Sequence, residues 1–268
     1  MKQKIKQEPI NLAAIDIGSN AARILIKSVE LLKNKSCDRN AEYLNPRIRT
    51  KKLQFLRIPL RLGMDVFDVG RISEFREIQL VKTIKIFRQL LYLYDVVEYR
   101  ACATAAFREA KNGKKILHRI QKDTDIDIDI ISGEEEAKII RSNNIQNDEG
   151  TYLYMDVGGG STEISLISNG KLISGQSFNI GTLRLLNEKI SADQWHDFEQ
   201  SVKSMVEGYE NIKIIGSGGN VNKLYRLSGK GGKKGQLTIS ALNKLYSQLS
   251  QMTVEQRMIE YDLRLDRA

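Results

Sequence analysis

The feature that most constrains this chain is a short pattern written twice. Residues 11–17 form a compact apolar run that closes on Asp16-Ile17-Gly18-Ser19-Asn20, and a second run rich in Ile, Leu and Val follows at 22–29. The same order returns far downstream. An apolar run at 152–156 leads into Asp156-Val157-Gly158-Gly159-Gly160-Ser161-Thr162-Glu163, and another β-type run covers 162–167. Apolar and β-branched runs bounded by Gly, Ser, Asn and Asp read as strand, tight turn, strand. Two copies of one unit predict two related lobes with a site in the cleft between them.

The remaining pattern alternates strands with helices, which places the fold in the α/β class. Residues Phe75, Ile78, Val81, Ile84, Phe87, Leu91 and Tyr94 recur every three to four positions and predict an amphipathic helix. Residues 95–102 read as a buried strand and 107–124 as helical with a break near Gly113. Residues 125–131 alternate Asp and Ile, the period of a strand. Ser132-Gly133-Glu134-Glu135 is a capping-box pattern that opens a helix over 134–142. Helices are also predicted over 195–209 and 240–252, and a short strand over 212–215 that runs into Gly216-Ser217-Gly218-Gly219. The polar stretch 33–52, with Pro46, reads as a long loop. The expected division is a first lobe over 1–138 and a second over 139–268.

Composition narrows the function classes. No apolar run among the 268 residues approaches the length of a membrane span, and the polar, basic N-terminus lacks the apolar core of a signal peptide. The two cysteines, Cys37 and Cys102, form neither a disulfide nor a metal-ligand pattern, and a cytoplasmic setting is expected. The isolated His118 and His196 argue against a zinc site or a histidine-based triad. A net charge of +9 attracts polyanions, but the basic residues are scattered and do not choose among nucleic acid, acidic membrane and polyphosphate-like substrates.

The glycine loops carry the chemistry. At the first, Gly18 lets the backbone approach a ligand, Ser19 and Asn20 add short donors and acceptors, and Asp16 is placed to hold a hydrated cation. A plain hairpin turn accounts for the same residues equally well. The second is more specific. Gly158, Gly159 and Gly160 in succession cost chain entropy unless the backbone must come close to something, and their amides, with Ser161 and Thr162, can form an anion-binding nest. Asp156 and Glu163 flank it, and oxygen ligands of this kind suit a magnesium ion that also touches phosphates. The turn at Gly218 would take a phosphate or a nucleoside, and an ordinary strand-to-helix turn explains it as well. Acidic residues are favoured at helix N-termini, and Glu135 completes the capping box, so Glu136 is the carboxylate left to position a water. Arg108, just after the 99–103 strand, could steady charge on a phosphoryl group in transit, or be a surface arginine paired with Glu109.

Seven segments in order now resemble one family: residues 14–20, Arg61-Leu62-Gly63, 103–110, 130–137, 155–163, 179–185 and 215–219. They resemble the exopolyphosphatase and guanosine pentaphosphate phosphohydrolase (Ppx/GppA) family, within the sugar kinase, heat-shock and actin superfamily. The resemblance implies two actin-like (ribonuclease H-like) lobes, each a mixed sheet flanked by helices, with an interlobe cleft. It implies release of terminal phosphate from inorganic polyphosphate, a guanosine pentaphosphate alarmone, or both, with Mg2+ as cofactor. By the same resemblance Glu136 is the general base and Arg108 grips phosphate. Asp156, Glu163 and Asp16 face the metal, and residues 18–20 and 158–162 are the phosphate loops. Arg267 would be a further phosphate contact, although Asp266-Arg267-Ala268 looks like the start of another family segment. The second lobe is therefore expected to be incomplete at its C-terminal end, and the further helical domain of many members is missing. A homodimer is common in the family.

Two other readings stay open at this stage. One is a superfamily kinase passing phosphate from ATP to an acceptor, against which the Glu136 segment speaks. The other is a polyphosphate or alarmone sensor without turnover. A nucleic-acid module lacks both a reader motif and clustered stacking aromatics.

Overall fold

The computed structural model describes residues 8–32, 47–142, 149–229 and 235–263. Backbone contacts divide the chain into two units, residues 1–131 and 132–268. Each unit contains the same three-stranded antiparallel meander.

In the first unit, β1 (Ile10–Ile17) turns into β2 (Ala21–Leu32), and β2 pairs with β3 (Arg47–Pro59). Helices α1 (Leu62–Val69) and α2 (Glu74–Leu93) lead to β4 (Val96–Ala103), which lies parallel to β1. Helices α3 (Ala105–Glu109) and α4 (Gly113–Thr124) then lead to the short β5 (Asp129–Ile130), giving the order β3-β2-β1-β4-β5. Ile15, Ile17, Ile24 and Ile26 project from one face of this sheet and are buried with Leu80, Ile84 and Phe87 of α2. The expected helix is there, but its first turn does not face the core: Phe75 is 67% and Ile78 44% exposed. Polar contacts occupy that turn instead, with Ser73 capping it and Glu77 paired with Arg119. β3 overturns part of the predicted 33–52 loop, since residues 47–52 are strand; residues 33–46 lie outside the described residues.

The second unit begins with α5 (Gly133–Ser142). Its sheet comprises β6 (Thr151–Val157), β7 (Thr162–Ser168), β8 (Lys171–Phe178) and β9 (Lys213–Ser217) in the order β8-β7-β6-β9, with β9 parallel to β6. Between β8 and β9 run α6 (Thr182–Leu186) and α7 (Ala192–Val206); α8 (Gly219–Leu227), α9 (Ile239–Ser250) and α10 (Val254–Tyr261) follow. Phe198, Val202, Met205 and Val206 of α7 pack on Leu153, Ile164, Leu166 and Phe178. Phe178 and Phe198 meet edge-to-face with centroids 4.9 Å apart. Glu163, Ser165 and Ile167 on the opposite face of β7 are also buried, and α5, in contact with β7 and β8, covers that face.

One polar clamp fixes the approach to the first glycine turn. Asp65 accepts from Arg76 Nε at 2.7 Å and from the Ser73 amide at 3.1 Å, and Arg76 Nη1 donates to the Leu60 carbonyl at 2.6 Å. Burial alone would raise the Asp65 pKa, but the hydrogen bonds from Ser73 and Arg76 outweigh it and hold the carboxyl below its ordinary 3.8. A depressed folded-state pKa gives stability that is present above the unfolded value and lost as pH falls through the folded one. The wild type is therefore expected to lose more melting temperature between about pH 5 and pH 3 than Asp65→Asn does. Parallel acid profiles in the two proteins would refute this role.

Candidate phosphate-binding site

The two glycine turns are built alike. The Gly18 amide donates to the Ala21 carbonyl at 3.0 Å, and the Gly158 amide to the Ser161 carbonyl at 2.9 Å. In each unit, the segment entering the first helix after the meander ties the turn down. Leu60 and Arg61 amides both donate to the Asn20 carbonyl, at 3.1 and 3.0 Å, and Gly63 donates to Ser19 at 2.9 Å. Arg61 takes a left-handed conformation, φ 54°, which is uncommon for a residue with a side chain and common where function demands a particular aim. In the second unit Thr182 donates to Gly158 (3.1 Å), Leu183 to Gly159 (2.9 Å) and Arg184 Nε to Gly160 (2.6 Å).

The carbonyls of all three turn glycines are thus engaged. Among the described residues, no acceptor faces the amides of Gly159 and Gly160. Peptide groups held by their oxygens present their N–H ends, which makes an anion-binding concavity. Gly181, at the start of this strap, has extended backbone open to any residue, yet a Cβ there would meet the Gly159 carbonyl group and lie 2.6 Å from Gly160 C. Its missing side chain is required by close approach.

Register sets the charges. In the second unit Ser177, Glu163, Asp156 and Ser217 form one row across the four strands. Glu163 is 5% exposed and its Oε1 accepts from Ser177 Oγ at 3.0 Å. Gly218, with φ +97° at the N-cap of α8, lies against Asp156: a Cβ there would sit 2.8 Å from Asp156 Oδ1. The corresponding row in the first unit is Arg57, Arg23, Asp16 and Cys102. One row is acidic and the other basic. Asp16 Oδ2 accepts from Arg23 Nη1 at 2.8 Å, with both side chains nearly half exposed.

Glu136 stands in the first turn of α5, half-buried, on the helix that contacts β7 and β8. Ser132 Oγ accepts from the Glu135 amide at 3.1 Å and the Ser132 carbonyl from the Glu136 amide at 3.0 Å. In the first unit Arg108 lies in the last turn of α3 and its Nη1 donates to the Ile131 carbonyl at 3.0 Å, at the edge of the sheet end that carries the Asp16 turn. Asn20 Oδ1 is buried and accepts no hydrogen bond among the described residues. Arg267 lies outside the described residues. The strap residues Thr182, Leu183 and Arg184 received no role from the sequence, although they fall in one of the segments that carried the resemblance.

Paired meanders, each with a glycine turn strapped by the segment that follows, define a two-lobed actin-like fold. The profile of the Ppx/GppA phosphatase family matches residues 53–268, and the chain belongs to that family. It is 28% identical over 211 residues to a bifunctional 3-dehydroquinate synthase/phosphatase of Fusobacterium nucleatum, covering 76% of this chain and 30% of that protein. It is 25% identical to exopolyphosphatase 1 of Mycobacterium tuberculosis, covering 97% and 77%. It is 26% identical to guanosine-5'-triphosphate,3'-diphosphate pyrophosphatase of Aeromonas hydrophila, covering 88% and 47%. The crystal structure of an exopolyphosphatase from Cytophaga hutchinsonii superposes with a TM-score of 0.74 at 24% identity, covering 96% of this chain and 86% of that one, and shows the shared fold. No helix of the described residues is long and apolar enough to cross a membrane.

Proposed function

We propose that this protein is a phosphoanhydride hydrolase that releases terminal phosphate from inorganic polyphosphate, guanosine pentaphosphate, or both. The observation that carries the reading is the second glycine turn: its carbonyls are tied back, its Gly159 and Gly160 amides are left for an anion, and Asp156 and Glu163 stand beside it. The relatives named as exopolyphosphatase and as guanosine pentaphosphate pyrophosphatase support the substrate class.

Phosphoryl transfer asks a protein for positioning and charge neutralisation. The Gly158–Thr162 turn would hold phosphate oxygens through its amides. In the first unit, Gly18, Ser19, Asn20 and Arg108 would be the phosphate-gripping residues. Glu136 would orient the attacking water and take its proton.

The residues present fit a magnesium ion. Asp156 and Glu163 are directly paired across β6 and β7, so their Cβ atoms lie about 5 Å apart, and the missing Cβ of Gly218 leaves room at Asp156 Oδ1. One or two carboxylates with substrate phosphates are the usual magnesium environment, and the ion would neutralise charge on the phosphate oxygens. In the first unit, Asp16 would hold a hydrated cation at its own turn, and Asn20 Oδ1, which accepts no hydrogen bond among the described residues, suits one of its waters.

The test is phosphate release from polyphosphate and from guanosine pentaphosphate with magnesium supplied. Asp156→Asn is expected to raise the magnesium needed for half-maximal release by at least about tenfold. Tight binding of both compounds with no release by the wild type would sink the hydrolase reading. Transfer only to an added acceptor, and only with ATP, would replace it with a kinase.

A further inference from the structure

The β2–β3 ladder carries charges that neither folding nor the catalytic reading explains. β2 bears Arg23 and Lys27; β3 bears Arg47, Arg49, Lys51, Lys52 and Arg57; Glu30 is the one acidic residue on either strand. On the sheet face away from the helices, Arg23 pairs directly with Arg57 and Lys27 directly with Lys52. The pair Leu25–Phe55 lies between them, with Phe55 50% exposed. Like charges directly opposite one another are destabilising.

Charges on an edge strand commonly serve to prevent edge-to-edge aggregation. That accounts for β3, which is an edge, but not for β2, which is paired on both sides. At Arg23 the repulsion is eased by Asp16 across the other side of β2. At Lys27 no described strand neighbour does so: its β1 neighbour is Leu12, and Glu98 comes only one strand further on. Lys27 and Lys52 are both exposed.

The ladder also has a direction. β2 leaves the Asp16–Asn20 turn, and β3 returns to the residues that strap it. The Arg23–Arg57 pair lies next to the turn, and the Lys27–Lys52 pair lies four residues further along β2, about 13 Å away at the rise of a strand. We infer that this face binds the distal part of a linear polyphosphate chain whose end lies at the turn. The inference rests on the reading that the turn takes a terminal phosphate. A repeating anion would cancel both repulsive pairs at once, and a short substrate would reach only the first.

The test compares the wild-type chain with Lys27→Gln/Lys52→Gln in direct binding of long-chain polyphosphate, tripolyphosphate and single-stranded DNA across a salt series. The double variant is expected to bind long-chain polyphosphate about tenfold more weakly, with the slope of log affinity against log salt reduced by about 2. Tripolyphosphate is expected to bind both proteins alike, and the variant to melt no lower than the wild type. An unchanged long-chain affinity overturns the inference. So does an equal loss for tripolyphosphate, DNA binding as tight as that of polyphosphate, or a lower melting temperature in the variant. Length-dependent binding without phosphate release would leave the ladder standing and remove the hydrolase. Release by a wild type whose long-chain affinity ignores the two lysines would do the reverse.

Discussion

Glu136→Gln is expected to lower phosphate release by about a hundredfold to ten-thousandfold while leaving polyanion binding in place. That range is the contribution of a positioned general base. The substitution keeps the shape of the side chain and removes its charge and its ability to accept the proton of the attacking water. It should hardly disturb folding. Gln and Glu have nearly equal helix propensity, and the Ser132 cap contacts the backbone of Glu135 and Glu136, which the substitution leaves in place. A carboxylate in a first helical turn contributes about 0.3–1 kcal/mol through the helix dipole, so a small fall in melting temperature is expected. Glu134, exposed in the same turn, provides the control. Glu134→Gln should lose the dipole contribution and keep the turnover. Equal activity in Glu136→Gln and the wild type would remove Glu136 from the mechanism.

Gly181→Ala is expected to be the most damaging single methyl group in the second unit. The backbone there, φ −150° and ψ 160°, is open to any residue, so the cost is steric. The new Cβ would lie 2.6 Å from Gly159 C and Gly160 C, against backbone that has no rotamer to change. Overpacking costs about 1–3 kcal/mol and occasionally more, and the upper end applies where the opposing atoms cannot swing away. Moving the strap aside would also break its bonds to Gly158, Gly159 and Gly160, each with a net value of about 0.5–1.5 kcal/mol. Melting should fall by several degrees, and the Michaelis constant for phosphate substrates should rise even where the protein remains folded. A variant with wild-type melting and wild-type kinetics would show that the strap does not shape the turn.

The sequence reveals the inner strands of both meanders and hides the outer ones. β1, β2, β6 and β7 stand out because each carries a compact apolar run next to glycine. β3 and β8 do not, since lysine, arginine, serine and glutamine break their alternation. A bulge at Ile26/Lys27 and another at Leu166/Ile167 also shift the period partway along. α1 and α6 are too short, at 8 and 5 residues, to show a helical period. At the candidate site, the glycines and carboxylates are visible as residue types. What holds them is not, because Thr182 and Leu183 act through backbone amides that any side chain would accompany, and Arg184 through a guanidinium brought to the turn only by the fold. The opposite charges of the two rows depend on cross-strand register, which no local motif states.

The strap has a consequence for anyone who would transplant the motif. The stretch from Asp156 to Glu163 looks portable, as an eight-letter cassette that could be spliced into any hairpin. Severed from the residues some twenty positions later that grip its carbonyls, the cassette would be a floppy glycine hairpin whose peptide planes rotate freely. On the proposed function, its affinity for phosphate belongs to the joint between two pieces of chain. A successful graft must carry both pieces, together with the bare backbone at Gly181 that lets them touch.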